Sequence, residues 1–296
     1  MLPQIDLVAS PVWPLVNGTP RAFMLAATYP RAAYLTDTTH WVSLVVPGAS
    51  LPPDGIRIGT PVDLRALFSQ VNAIHIGNGA LVLPDARRLS LSPRCRRWNP
   101  KLRLRRSCRQ ALRPVACSLV EDLRSIPPQE DPSVGLVLHS ALAIFDELTR
   151  ALAHGHQNEV IAHTRRLAGL GPGLTPLGDD LLLGCCLALT ILAQEPAPHH
   201  DWLALRELLA QTAAPATTAR SAAWLRQAGE GEFAREPAVL AYALCKRNAR
   251  WISRLLERLL AIGSSSGWAT AYGVSRALCL LLGHGGGPAP LGCRTG

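Results

Sequence analysis

"SIPPQEDPS" (125–133) divides two kinds of hydrophobic pattern, and its three prolines bar regular structure, so it is read as a linker. Upstream of it, short β-prone runs are punctuated by turn residues: "WVSLVVPG" at 41–48, "IRIGTPVDL" at 56–64 and "VNAIHIGNGALVLPD" at 71–85. The last reads as a hairpin, because Asn78-Gly79 can take the positive φ angles of a tight turn between alternating strands. Downstream the period becomes helical. In "VGLVLHSALAIFDELTRALAHG" the residues Val137, Leu138, Leu142, Phe145, Leu148 and Leu152 recur at steps that keep one helix face dry. Further helices are predicted at 157–168, 179–194, 201–213, 217–228, 237–261 (admitting a break) and 267–282. The expected fold class is α+β, with a β-rich N-terminal domain, 1–131, followed by a mainly α-helical C-terminal domain, 132–296. No solenoid-length repeat is visible.

A chain of 296 residues with 48% hydrophobic content can bury a substantial core in one large or two modest domains. Its start, "MLPQIDLVAS", lacks a basic region followed by a long apolar run, and the uncharged stretch Leu181 to Gln194 falls short of the roughly 20 residues of a spanning helix. These features predict a soluble, cytoplasmic protein without a membrane partner. The eight cysteines are scattered without a CxxC pair, and several sit inside apolar helical patterns. That usage predicts reduced, buried thiols.

The net charge of +9 is local: residues 87–113 hold eleven Lys or Arg and no acid, leaving nineteen basic against twenty-one acidic residues elsewhere. A stretch this dense can meet phosphates, yet it has one aromatic, Trp98, and matches no helix-turn-helix, zinc-finger or RNP pattern. It reads first as solvated or partner-facing arginine surface, then as a small-anion site, and only last as a nucleic-acid contact.

Chemistry concentrates in "GLGPGLTPLGDD" (169–180), which joins two predicted helices. Gly171, Gly173 and Gly178 permit backbone conformations closed to other residues, Pro172 and Pro176 stiffen the turns, and Asp179 and Asp180 open a helix whose first turn has unpaired N–H groups. Two readings stay open. Either the aspartates cap the helix, or the loop amides and Thr175 receive an anion while Asp179 and Asp180 hold a cationic group or Mg²⁺. A P-loop is set aside: Gly173 and Gly178 have its glycine spacing, but Asp-Asp follows where Lys and Ser or Thr are needed.

Two further helix starts carry hydroxyls: Thr217, Thr218 and Ser221 in one, and Ser264, Ser265, Ser266 with Gly267 in the other. Alone, each is an N-cap; converging with the glycine loop, they would form a pocket for a small carboxylate or phosphate. "GSSSG" (263–267) fits the serine-hydrolase elbow in form only, since helical spacing precedes it and no acid follows Glu257. "HGH" (154–156) and "HHD" (199–201) lack the pairing of a zinc site and read as helix ends or loops.

"GLGPGLTPLGDDLLLG", the Thr217-Thr218-Ser221 start, "GSSSGWATAYG" and the N-terminal "GNGALVL" together resemble the bacterial family that includes the AllH subunit of oxamate carbamoyltransferase. Leu177 stands where that family commonly has a small hydroxyl residue, and Ser264 where it commonly has His. The resemblance implies a subunit of a multi-subunit carbamoyltransferase of allantoin and purine breakdown, interconverting oxalurate plus phosphate with oxamate plus carbamoyl phosphate. It implies no resident cofactor beyond an optional Mg²⁺. Carried onto this sequence, Asp179 and Asp180 are the candidate catalytic groups, and Gly171, Gly173, Thr175, Gly178, Thr217, Thr218, Ser265, Ser266, Gly267 and, from "GNGALVL", Asn78 are the candidate anion ligands. The alternative is a non-catalytic assembly or anion-binding subunit whose segment 87–113 meets an acidic partner.

Overall fold

The structure, a computed structural model, describes residues 3–104, 109–126, 128, 132–194 and 200–283. Cys108, Cys293, His199 and parts of the segments 87–113 and 125–133 lie outside the described residues.

The N-terminal part is a closed barrel of β1 (Ile5–Ala9), β2 (Arg21–Thr28), β3 (Ala32–Thr36), β4 (Trp41–Val45), β5 (Gly55–Ile58), β6 (Ala73–Gly77), β7 (Ala80–Val82) and β8 (Arg88–Trp98), in the order β1-β5-β4-β3-β2-β6-β7-β8. β4 with β5 and β1 with β8 run parallel, and the other pairs are antiparallel. Closure removes the free edges that an open sheet would expose. The barrel is filled by Ile5, Val8, Phe23, Leu35, Leu44, Ile56, Ile74 and Leu89, among others. The β6–β7 hairpin forms as its sequence predicts, with Asn78 and Gly79 at φ of 47° and 72°. Two expectations need adjusting. Of 56–64 only the first residues are strand, because Asp63 caps the short helix α2 (Leu64–Leu67), its carboxylate accepting from the amides of Arg65 and Ala66. Much of the arginine-rich stretch is itself strand β8, alternating the buried Leu89 with solvent-facing neighbours.

The helices are α3 (Arg109–Ser125), α4 (Pro132–His154), α5 (Gln157–Leu167), α6 (Leu177–Leu192), α7 (Trp202–Ala213), α8 (Ala219–Gly229), α9 (Arg235–Lys246), α10 (Ala249–Leu260) and α11 (Ser266–Leu281), after the short α1 (Trp13–Asn17) in the barrel region. Beyond Asp179 and Asp180 in its first turn, α6 is almost wholly apolar and buried along nearly its whole length, the mark of a central helix. α11 packs along it, and Asp146 of α4 grips Arg276 of α11 through two 2.8 Å bonds. The break within 237–261 falls at Arg247, left-handed with φ 53°, and Asn248 caps α10 by accepting from the Trp251 amide.

Pro132 corrects the reading of 125–133 as wholly irregular: it opens α4, a position where its missing N–H costs nothing. α3, N-terminal to residue 131, lays Leu112, Ala116, Leu119, Val120 and Leu123 into the helical core, and Leu123 O accepts from the Trp268 indole at 3.0 Å. Its neighbour α11 also brings Cys279 to Cys117, the two joined in a disulfide with Cα atoms 5.0 Å apart, where the sequence predicted reduced thiols. Scattered cysteines become partners when helices far apart in sequence pack side by side. Cys185 and Cys186 do behave as buried thiols.

Barrel and helices meet around Asp54, Leu51 and Glu236. Leu51 O accepts from the Arg235 amide at 2.9 Å, and Glu236 accepts from the Ser50 hydroxyl at 2.6 Å and the Leu51 amide at 3.2 Å.

Candidate functional site

Three helix starts converge on the glycine loop. The Thr218 hydroxyl donates to Leu174 O at 2.7 Å and accepts from the Ser221 amide at 3.1 Å, so it caps α8 and ties that helix to the loop at once. The Thr175 and Ser266 hydroxyls meet at 3.1 Å, tying α11 to the same loop. The convergence that would turn separate caps into one pocket is therefore present. Ser265, though at the N-cap of α11, makes no capping bond with its side chain.

Asp179 and Asp180 do not cap α6. The N-cap is Pro176, without a side-chain bond, and the aspartates occupy the third and fourth helical positions with their side chains turned inward. Asp179 accepts from the Gly169 amide at 2.9 Å through Oδ1 and from the Thr217 hydroxyl through Oδ2. Each oxygen thus accepts one protein donor. Among the described residues, no three His, Cys, Asp or Glu side chains are grouped to hold a metal ion. Burial pushes the Asp179 carboxyl above the ordinary carboxylate range, against the Thr217 and Ser221 hydroxyls and the Gly169 amide that favour its charge.

Asp180 is 2% exposed, and its Oδ2 has no partner. Burial drives its carboxyl well above the usual range; Ser266 opposes the shift and the adjacent Asp179 adds to it. A carboxyl in this state holds its proton to higher pH than an exposed one, and when protonated it presents an O–H. The Ser221 hydroxyl, buried beside Asp179, likewise has no full hydrogen bond.

The glycines allow these approaches. Gly169, with φ 74°, turns its amide onto Asp179, and a Cβ there would come 2.9 Å from Ala216 O. A Cβ at Gly178 would stand 2.0 Å from Leu167 O, and one at Gly267 1.6 Å from Leu259 O, so both are close-packing positions. Gly171 and Gly173 take φ of 120° and 90°, Gly173 with open space around it. Asn78 is not brought to this place: its amide donates to Gly18 O and its carbonyl accepts from Arg88, both on the barrel. A shallow cleft of about 490 Å³, lined by Arg165, Gln211, Thr212 and Ala216, does not contain the aspartates.

Sequence reasoning passed over Arg220, one residue before Ser221. The residue is 1% exposed, and its guanidinium pairs with barrel Asp54, donating to Oδ2 through Nη1 and to Oδ1 at 3.0 Å through Nη2. Nη2 also donates to the Ser43 hydroxyl, which itself donates to Asp54 at 2.9 Å. Three rings enclose the cation, Trp224 at 4.1 Å, Tyr34 at 4.9 Å and Trp41 at 5.3 Å. The available signal was a single charged residue at the second position of α8, beside Ser221 in a turn of small residues, which single-sequence pattern cannot distinguish from a solvated one.

A family model described as oxamate carbamoyltransferase subunit AllH matches residues 167–278, from the end of α5 to near the end of α11. The match spans the glycine loop and all three converging helix starts, which bears out the resemblance read from those motifs; "GNGALVL" lies outside it. No curated protein and no solved structure matches the chain. Among the described residues no helix is long and apolar enough to cross a membrane.

Proposed function

We propose that this chain, an AllH-family protein over residues 167–278, is the subunit of an oxamate carbamoyltransferase in which oxamate or carbamoyl phosphate meets the Asp180 carboxyl at the junction of α6, α8 and α11. The observation that carries this reading is Asp180 itself, sealed from solvent with one oxygen unpartnered beside the Ser266 and Thr175 hydroxyls. In the direction of oxalurate breakdown, a phosphate oxygen adds to the carbamoyl carbon, the carbon–nitrogen bond breaks and oxamate leaves with one more proton on nitrogen. A carboxyl with the raised proton affinity of Asp180 is suited to supply that proton, and to take it back when oxamate attacks carbamoyl phosphate. Asp179 orients rather than reacts, since both its oxygens hold Gly169 and Thr217 in place. The loop amides of Gly171, Gly173, Leu174 and Thr175 with the hydroxyls of Thr175, Ser265 and Ser266 serve the anionic oxygens, whose developing charge is what donors in such a transfer must meet, while Thr217 and Thr218, their protons given to Asp179 and Leu174 O, hold the loop in shape.

Calorimetry and thermal shift with oxamate, oxalurate, phosphate and carbamoyl phosphate test the reading. Saturable binding that is lost in the Asp179→Ala, Asp180→Ala double variant supports it; unchanged affinity in a folded double variant rejects it.

A second reading, assembly without chemistry, draws on β8, where Arg94, Arg96 and Arg97 are exposed and Arg97 lies 5.1 Å over the Trp13 ring. Such a surface fits an acidic face of another subunit. It predicts that charge reversal at Arg94 and Arg96 abolishes complex formation while ligand binding by the isolated chain, if any is measured, stays as it was.

A further inference from the structure

The barrel carries no residue of the glycine loop, yet it grips the start of α8 through Arg220. Arg220 leaves α8 between Thr218, which holds Leu174 O, and Ser221, which lies against Asp179. Its fork ends on Asp54 and Ser43 of the barrel, under the rings of Tyr34, Trp41 and Trp224. Trp224 closes the arrangement, its indole reaching Asp54 at 3.5 Å and its ring meeting Tyr34 edge-on at 6.2 Å.

A guanidinium desolvated this fully is held by a planar, two-point match that a lysine cannot reproduce. Its backbone is therefore fixed relative to the barrel, and with it the two residues on either side that shape the loop. Stabilising the interface alone would not require this expense: a buried ion pair is often matched by well-packed apolar residues, so its geometry rather than its energy is what distinguishes it.

We infer that Arg220 is a positioning residue for the glycine-loop site, and that barrel residues Asp54 and Ser43 act through it to set the start of α8 against Leu174 and Asp179. The inference rests on the site proposed above but concerns its construction. Barrel and helices then form one functional unit, with the β4–β5 region as the support of a site located in the helices.

Ser43→Ala and Arg220→Lys test this, the first removing one partner of the fork and the second keeping the charge without the fork. Hydrogen exchange at the amides of Gly169 and Ser221 is compared with that of α7 in the same samples, and oxamate affinity is measured by calorimetry. Both variants are expected to exchange about tenfold faster at those two amides with α7 unchanged, and to bind oxamate about tenfold more weakly. Wild-type exchange at Gly169 and Ser221 in both variants overturns the inference, whatever happens to the melting temperature. So does faster exchange throughout the chain, which marks a merely structural role. If the unaltered protein binds no oxamate, the site reading fails on that substrate, while the exchange comparison still decides the positioning role.

Discussion

Gly184 of α6 and Gly273 of α11 face each other where the two helices cross. A Cβ on Gly184 would lie 2.4 Å from Thr270 O, and one on Gly273 2.5 Å from Leu181 O and 3.2 Å from the Gly184 Cα. The obstacles are backbone atoms, which cannot swing aside. Because the candidate site is built on the first turns of these same two helices, the crossing fixes the distance between Asp180 and Ser266.

Gly273→Ala is therefore expected to cost about 3 kcal/mol, at the upper end for one added methyl in a packed interior. Urea denaturation of the variant against the parent measures it. A loss under about 0.5 kcal/mol, the scale of an ordinary surface change, would show that the helices separate freely.

The buried carboxyl of Asp180 gives stability a pH dependence of known sign. Its folded-state affinity for a proton is raised above that of the unfolded chain. The folded state then binds more protons, so the stability present below the unfolded value of about 3.9 is lost as pH rises toward the folded value, at up to about 1.4 kcal/mol per pH unit. Asp180→Asn, which cannot ionise, escapes that loss. Its melting temperature relative to the parent is expected to climb between pH 4 and 7; a constant difference across that range would mean the carboxyl ionises in the fold as freely as in the open chain.

Two glycines of the loop separate backbone strain from steric contact. Gly173 has φ 90° and open space, so Gly173→Ala meets only the left-handed penalty of about 1–2 kcal/mol. Gly169→Ala meets that penalty and the Ala216 carbonyl, and it disturbs the amide that holds Asp179. It should cost clearly more, about 3 kcal/mol in all. Chemical denaturation of the pair checks the order, and equal losses would count against the packing of Gly169 on Ala216.

The change from strand to helix was legible because alternation in 71–85 and three-to-four spacing in 134–155 are local properties of the chain. So were the hairpin at Asn78-Gly79 and the hydroxyls at the starts of α8 and α11. β8 and α3 were hidden by their arginines, which read as surface although Leu89 and Leu112 between them are buried. The convergence of helix ends was stated only as a condition, since it depends on contacts such as Thr175 with Ser266, ninety-one residues apart. Arg220 with Asp54 was out of reach for the same reason, at a separation of 166. Local pattern tells which groups are available, and only the packing tells which of them meet.

The Cys117–Cys279 bridge joins α3 to α11 across a sequence separation of 162. Closing so long a loop in the unfolded chain removes much of its entropy, which on the loop-closure account stabilises the fold by roughly 5 kcal/mol, with measured values usually nearer 2–4. The oxidised protein should therefore exceed Cys117→Ser by about 3 kcal/mol in denaturant, and the gap should close when reductant is added. Alkylation of the unreduced, unfolded chain followed by mass spectrometry provides the direct check. If Cys117 and Cys279 are both alkylated, the bridge is absent under the conditions tested, and α3 is held to α11 by apolar contact, by the bond from Trp268 to Leu123 and by the longer one, 3.4 Å, from Arg113 Nε to Cys279 O.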